Sequence, residues 1–220
     1  MSEDCESGAR ESSGHDWSAW HDAYADPGSE LSRRLSVVRR QIAAWLDSRP
    51  GALRVVSACA GRGHDVLGVL ATRSDADRVR VTLLEFDTRN VAAARQTARG
   101  AGLTGVRVEQ ADAGDPAAYA GAVPADLVLM VGVFGNIGED DVERTVVGLP
   151  RLCAPDATVI WTRGRRDGDP RPAIRRQLAR AGFAEQAFEA PDDASFSVGV
   201  HRLVRPPQPL GVGRLFRFEG

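Results

Sequence analysis

The chain of 220 residues is 43% hydrophobic with a formal charge of -2, enough apolar side chain for one sizeable core and without the basic excess of nucleic-acid binders. No run approaches a membrane span, and the N-terminus MSEDCESGARESSGHD lacks an apolar signal-peptide core. Cys5, Cys59 and Cys153 have neither disulfide nor metal-ligand spacing, so a single-domain, reduced, cytoplasmic protein without a metal site is expected.

Residues 1–14 are small, polar and acidic, and read as a disordered tail. Residues 15–48 read as an N-terminal helical segment. Trp17, Trp20 and Tyr24 stand at helical spacing, as a packing face or as part of a pocket. His21 beside them is a capping or surface histidine, or a general base whose ordinary pKa suits proton removal near neutrality. After the Asp26-Pro27-Gly28 break, Ser29 is the expected N-cap of a helix marked by Leu31, Leu35, Val38, Ile42 and Leu46.

The stretch Leu53–Leu70, LRVVSACAGRGHDVLGVL, reads as strand, glycine turn and helix. Side chains shrink over Ala58-Cys59-Ala60-Gly61-Arg62-Gly63, then Val66, Leu67, Val69 and Leu70 take up helical spacing. A helix N-terminus opening at the glycines would offer unpaired N–H groups and a positive dipole end to an electron-rich ligand. Val79, Val81, Leu83 and Leu84 form a second strand ending at Glu85, roughly twenty residues past the glycines, where nucleotide-binding βαβ units place a ribose-binding acid. Asp87 is the expected N-cap of an alanine-rich helix over 88–99.

Further strands are expected ahead of Asp112 within the stretch Val106–Ala113, at Ala125–Val131 and at Ala157–Thr162, with a helix from Val142, Val146 and Leu149 between the last two. Glu139, Asp140 and Asp141 are read as first-turn acids of that helix, not as metal ligands. Asn136, in the small-residue run after the fourth strand, is a turn amide or a substrate-orienting group. Arg163 heads an arginine cluster that is a solvated loop or a site for an anionic substrate. A helix marked by Ile174, Leu178 and Ala181 leads to two last strands, 183–190 and 196–204, and Leu215, Phe216 and Phe218 suggest a short docked terminal strand.

These features resemble the class I S-adenosylmethionine-dependent methyltransferases, in the small single-domain bacterial form, over roughly residues 50–205. The resemblance is carried by VSACAGRG, by Glu85 ending strand two, by Asp112-Ala113 after strand three, by ADLVLMV and by the Leu152–Asp156 turn. Ser57 stands where the family pattern has an acid and Cys59 where it has its first glycine. The resemblance implies a three-layer Rossmann-like α/β sandwich, its seven-stranded sheet mostly parallel with one antiparallel strand near the C-terminus. It implies that the helical segment 15–48 is a lid over a cofactor-binding domain at 49–205, which an extension at 206–220 follows, and S-adenosylmethionine as cofactor. Gly61, Gly63 and the helix start would hold its amino acid end, Glu85 its ribose hydroxyls, and Asp112 with Ala113 its adenine, with Ala60, His64, Asp65, Phe86 and Val131 as further cofactor-binding residues.

Methyl transfer to a small molecule then follows, with Trp20, Asn136 and Arg163 toward the substrate and His21 or Tyr24 as base. The alternatives are a non-methylating enzyme on the same fold, of pericyclase or decarboxylase type, or an RNA or protein methyltransferase. A nicotinamide dehydrogenase fits less well, because the third glycine of the dinucleotide pattern is absent from AGRGHD. Neither a membrane nor a nucleic-acid partner is expected.

Overall fold

The computed structural model describes residues 26, 28–165 and 168–218. Trp20, His21 and Tyr24, and the expected tail, lie outside the described residues. Helix α1 spans Glu30–Asp47, and the Ser29 side chain caps it by accepting from Ser32 N at 3.1 Å. Strand β1 (Leu53–Ala58), helix α2 (Val66–Leu70), β2 (Val79–Glu85), α3 (Thr88–Gly100) and β3 (Val106–Gln110) follow. The second half is β4 (Ala125–Met130), α4 (Glu139–Gly148), β5 (Cys153–Gly164), α5 (Arg171–Arg180), β6 (Phe183–Glu189) and β7 (Phe196–Leu203).

The strands form one seven-stranded sheet in the order β3-β2-β1-β4-β5-β7-β6. β1 runs parallel to β2 and to β4, whereas β7 is antiparallel to both of its neighbours. The inner strands β1, β2, β4 and β5 are largely buried on both faces, which is why they read as mostly apolar runs, whereas the edge strands β3 and β6 are partly exposed. Alternation within each strand sorts the core. Val56, Ala58, Val128 and Met130 face α4 and α5, while Leu53, Val55, Leu127 and Leu129 face α1, α2 and α3.

Three sequence expectations need correction. β5 starts at Cys153 rather than Ala157, because Cys153 pairs with Ala125 ahead of a register shift, and Asp156 takes a left-handed φ of 60° to carry the bend inside the strand. Residues 204–218 form no strand, although Leu215 and Phe216 are buried as the apolar pattern implied. α2 begins at Val66, not at the glycines, and is only five residues long. The turn before it satisfies its own backbone: Ala60 N–H bonds Leu84 O at 2.9 Å, and Gly63 N–H bonds Ala60 O at 2.9 Å. The N–H groups of Ala60, Gly61 and Gly63 are thus taken up within the protein rather than left on a helix end.

Candidate functional site

The strand order reverses between β1 and β4, and the loops after these strands open a crevice at their carboxyl ends, the usual ligand position in an open α/β sheet. Glu85 is fixed at its centre. Its Oε2 accepts from Gly61 N at 2.7 Å and its Oε1 from Asp87 N at 2.8 Å, and the residue is only 8% exposed. The carboxylate thereby joins the glycine turn to the start of α3, and each oxygen keeps lone-pair capacity for a further donor. Asp87 caps α3 as expected, accepting from Arg89 N and Asn90 N.

The glycine turn is built around left-handed residues. Cys59, Gly61 and Gly63 have φ of 51°, 56° and 69°. A Cβ at Gly63 would lie 2.8 Å from Leu67 Cδ1 and Leu83 Cδ1, so that glycine is required by packing. Cys59 occupies the left-handed conformation without being glycine, which explains how the altered motif still closes the turn. Burial, Glu85 and Asp112, in that order, raise its thiol well above the ordinary range.

Arg39 of α1 braces the turn from outside, donating Nε and Nη2 to the His64 carbonyl at 2.8 and 2.5 Å. Its guanidinium fills the space beside Gly68, where a Cβ would come within 2.3 Å of Arg39 Nη2. Asp65 is buried and caps α2 through Val66 N at 2.7 Å, with burial as the main force raising its pKa. Its role is therefore visible as a cap, and His64 contributes at least its carbonyl to the bracing.

At the far end of the crevice Phe86 is 74% exposed beside Glu85. Asp112 Oδ1 accepts from Gly114 N at 2.8 Å, while Oδ2 is paired with the Arg214 guanidinium. Ala113 is buried and its carbonyl accepts from Tyr119 OH at 2.8 Å. Val131 is half-buried after β4, and nothing lies within 4 Å of a Cβ built on Gly132 or Gly135, which leaves open space there. Asn136 turns inward, its Nδ2 donating to Gly132 O at 2.6 Å, so it holds its own loop. Arg163 is buried at 8% exposure and its carbonyl accepts from Ser197 Oγ at 2.9 Å. It is thus part of the packed β5–β7 pair and not of a solvated loop.

The crevice thus brings together the glycine turn, Glu85, Phe86, Asp112 and the β4 glycines. Two arginines were unforeseen, Arg214 at its Asp112 end and Arg39 behind the turn. Arg39 was hidden among the polar residues of an amphipathic helix, and the only sign of Arg214 was the alternation of charge and apolar bulk in Arg214-Leu215-Phe216-Arg217-Phe218. Among the described residues no helix is long and apolar enough to cross a membrane, and no His, Cys, Asp and Glu cluster suits a metal ion.

No family model matches the chain. It is 29% identical over 131 residues to the uncharacterized protein YnbC of Escherichia coli (strain K12), a match covering 58% of this chain and 22% of YnbC, so the chain spans about a fifth of that relative's length. Likeness in shape is broader. Magnesium protoporphyrin IX methyltransferase from Synechocystis PCC 6803 superposes with a TM-score of 0.64 at 16% identity, over 85% of this chain and 90% of that one. The 1,6-didemethyltoxoflavin-N1-methyltransferase of Burkholderia thailandensis gives 0.61 at 17% identity, over 90% and 94%. The chain has the class I methyltransferase fold. The cyclase SpnF shares it, with a TM-score of 0.54 at 15% identity over 78% of this chain and 81% of that one. In the class I fold of this chain, the crevice at the β1–β4 reversal is where Glu85 and the glycine turn meet.

Proposed function

We propose that the protein binds S-adenosylmethionine in the β1–β4 crevice and transfers its methyl group to a small-molecule acceptor. The observation that carries the reading is the Glu85 carboxylate, buried yet tied to Gly61 N and Asp87 N with acceptor capacity left over. That is the arrangement a vicinal ribose diol needs, since two hydroxyl donors can share one fixed carboxylate. Solved neighbours of the same fold were crystallised with S-adenosylmethionine or S-adenosylhomocysteine, which supports the same ligand here.

The residues present fit the group. Arg62 Nε, between the two turn glycines, is buried without a hydrogen-bond partner among the described residues, a donor suited to the carboxylate of an amino acid. Exposed Phe86 offers an aromatic face to a purine, and half-exposed Asp112 an acceptor to its amine. When bound, S-adenosylmethionine supplies an electrophilic sulfonium methyl. The task left to the protein is to hold an acceptor in line, exclude water and take up a proton where the acceptor carries one. The open space over Gly132 and Gly135 is the site for the acceptor, and His21 or Tyr24 is the proposed base.

Calorimetry with S-adenosylmethionine, S-adenosylhomocysteine and NADH tests the cofactor. Binding of the first two alone is expected, and binding of NADH alone would send the reading to hydride transfer. A second reading, a non-methylating enzyme on this fold, draws support from the likeness to SpnF and from the altered Ser57 and Cys59 positions. Turnover of an acceptor with release of S-adenosylhomocysteine separates the two, because only methyl transfer forms it.

A further inference from the structure

The C-terminal segment reaches the adenine end of the crevice by contacts that are too specific to be trailing chain. Leu215 and Phe216 are buried at 3% and 0% exposure. Leu215 N donates to Gly114 O at 2.8 Å, its carbonyl accepts from the buried Thr145 Oγ1 at 3.0 Å, and Arg217 N donates to Asp141 Oδ2 at 2.6 Å. Two glycines make room: a Cβ at Gly114 would lie 2.2 Å from Phe216 O, and one at Gly148 would lie 2.6 Å from Leu215 Cδ2. The backbone of 214–217 is therefore fixed against the loop after β3 and against α4. That fixed backbone delivers Arg214 to Asp112 across 102 residues of sequence.

Both members of this ion pair remain partly open, with side-chain exposures of 37% for Arg214 and 41% for Asp112. A pair so exposed adds little to stability. Its geometric effect is larger. Gly114 N takes one carboxylate oxygen and the guanidinium the other, so the side chain has one orientation and each oxygen still has a free lone pair. Arg214 Nε has no acceptor among the described residues, so this guanidinium also brings an unused donor to the same end of the crevice.

We propose that Arg214 is a positioning residue for the cofactor, aiming the Asp112 carboxylate at the exocyclic amine of adenine and making the C-terminal segment part of the cofactor site. The proposal rests on the S-adenosylmethionine reading above. It assigns a binding role to a stretch that lies outside the core sheet.

The test is calorimetry of S-adenosylhomocysteine and of its inosine analogue, in which a carbonyl replaces the amine, with four proteins besides the unaltered one. These are Arg214→Ala, Arg214→Lys, Asp112→Asn and the double variant Arg214→Ala, Asp112→Asn. The unaltered protein should prefer the adenine compound, and Arg214→Ala should weaken its binding by about tenfold while leaving the inosine analogue nearly unchanged. Arg214→Lys should recover part of the loss, and the double variant should be no weaker than Asp112→Asn alone. Thermal unfolding within a few degrees of the unaltered protein checks that Leu215 and Phe216 still hold the segment.

Equal losses for the two nucleosides, additive losses in the double variant, or unchanged or tighter binding by Arg214→Ala would each overturn the proposal. The last of these would make the ion pair a closed latch. Absence of binding by the unaltered protein would remove the cofactor reading itself. Binding that Arg214→Ala does not alter would remove only this proposal.

Discussion

Glu85 and Asp112 follow adjacent parallel strands and are held in opposite ways. Glu85 is buried and anchored by backbone N–H groups from the turn and helix that flank it, Gly61 and Asp87. Asp112 is half-open and anchored by one neighbouring N–H and by an arginine from the far end of the chain. A carboxylate fixed by rigid local backbone is part of the fold, whereas one fixed by a remote side chain can be retuned by a single substitution. The first should therefore fail with stability, and the second without it.

The largest effect expected on binding is for Glu85→Ala. It leaves Gly61 N–H and Asp87 N–H without their acceptor, so unfolding free energy should fall by about 1–3 kcal/mol in urea titrations. Cofactor affinity should fall on the order of 100-fold by calorimetry, since the ribose hydroxyls lose a charged acceptor. Retained affinity would remove Glu85 from the site. On the Asp112 side the comparable structural break is Phe216→Ala, which empties a fully buried aromatic position and should cost about 3–5 kcal/mol in the same titration. A cost below about 1 kcal/mol would mean that the segment is not docked as described.

The same contrast decides what could be read in the sequence. The order of elements, the caps Ser29 and Asp87 and the strand end at Glu85 follow from local rules of period, capping and spacing, and the structure has them where those rules put them. The sheet type followed from the family resemblance of VSACAGRG, Glu85 and Asp112-Ala113, and periodicity alone made legible only the apolar run of an inner strand such as β1. Arg39 against the His64 carbonyl and Arg214 against Asp112 were not, because each joins residues whose spacing carries no period. The glycine turn shows the limit most clearly. Its glycines were visible, yet the turn uses the N–H groups of Ala60, Gly61 and Gly63 internally, and only the three-dimensional path of β2 reveals that. Of the two readings of Arg163, the solvated loop is excluded because β5 runs two residues beyond the apolar segment, to Gly164, and carries it into the sheet.

Acid sensitivity offers a control far from both carboxylates. His201 on β7 is 1% exposed, accepts at Nδ1 from Trp161 Nε1 at 3.2 Å, and has Glu185 Oε2 at 3.5 Å from Nε2. Burial lowers its pKa from 6.5 to about 4. Folded protein therefore binds fewer protons than unfolded chain between those values. The stability that the neutral ring contributes is complete above about pH 6.5, and about 3 kcal/mol of it is lost as pH falls to 4. Urea titrations across that window should show the slope, and His201→Gln should flatten it. An unchanged slope would move the acid sensitivity of that window to another group.

The smallest effect expected reports on both carboxylates at once. Cys59 lies in the turn between them, its thiol raised first by burial, then by Glu85 and then by Asp112. Only the thiolate attacks disulfide reagents, so in a Cys5→Ser background labelling at pH 8 should be negligible until the protein unfolds, with Cys153 also silent because burial pushes it up to about 12. Removing a neighbouring negative charge eases thiolate formation, so Glu85→Gln should speed Cys59 labelling, and Asp112→Asn should speed it less. The reverse order would mean that Asp112, not Glu85, is the closer charge on the turn, and that the remote arginine fails to neutralise it. Bound S-adenosylhomocysteine should slow all of these rates by covering the turn, which gives a second measure of occupancy that does not depend on heat of binding.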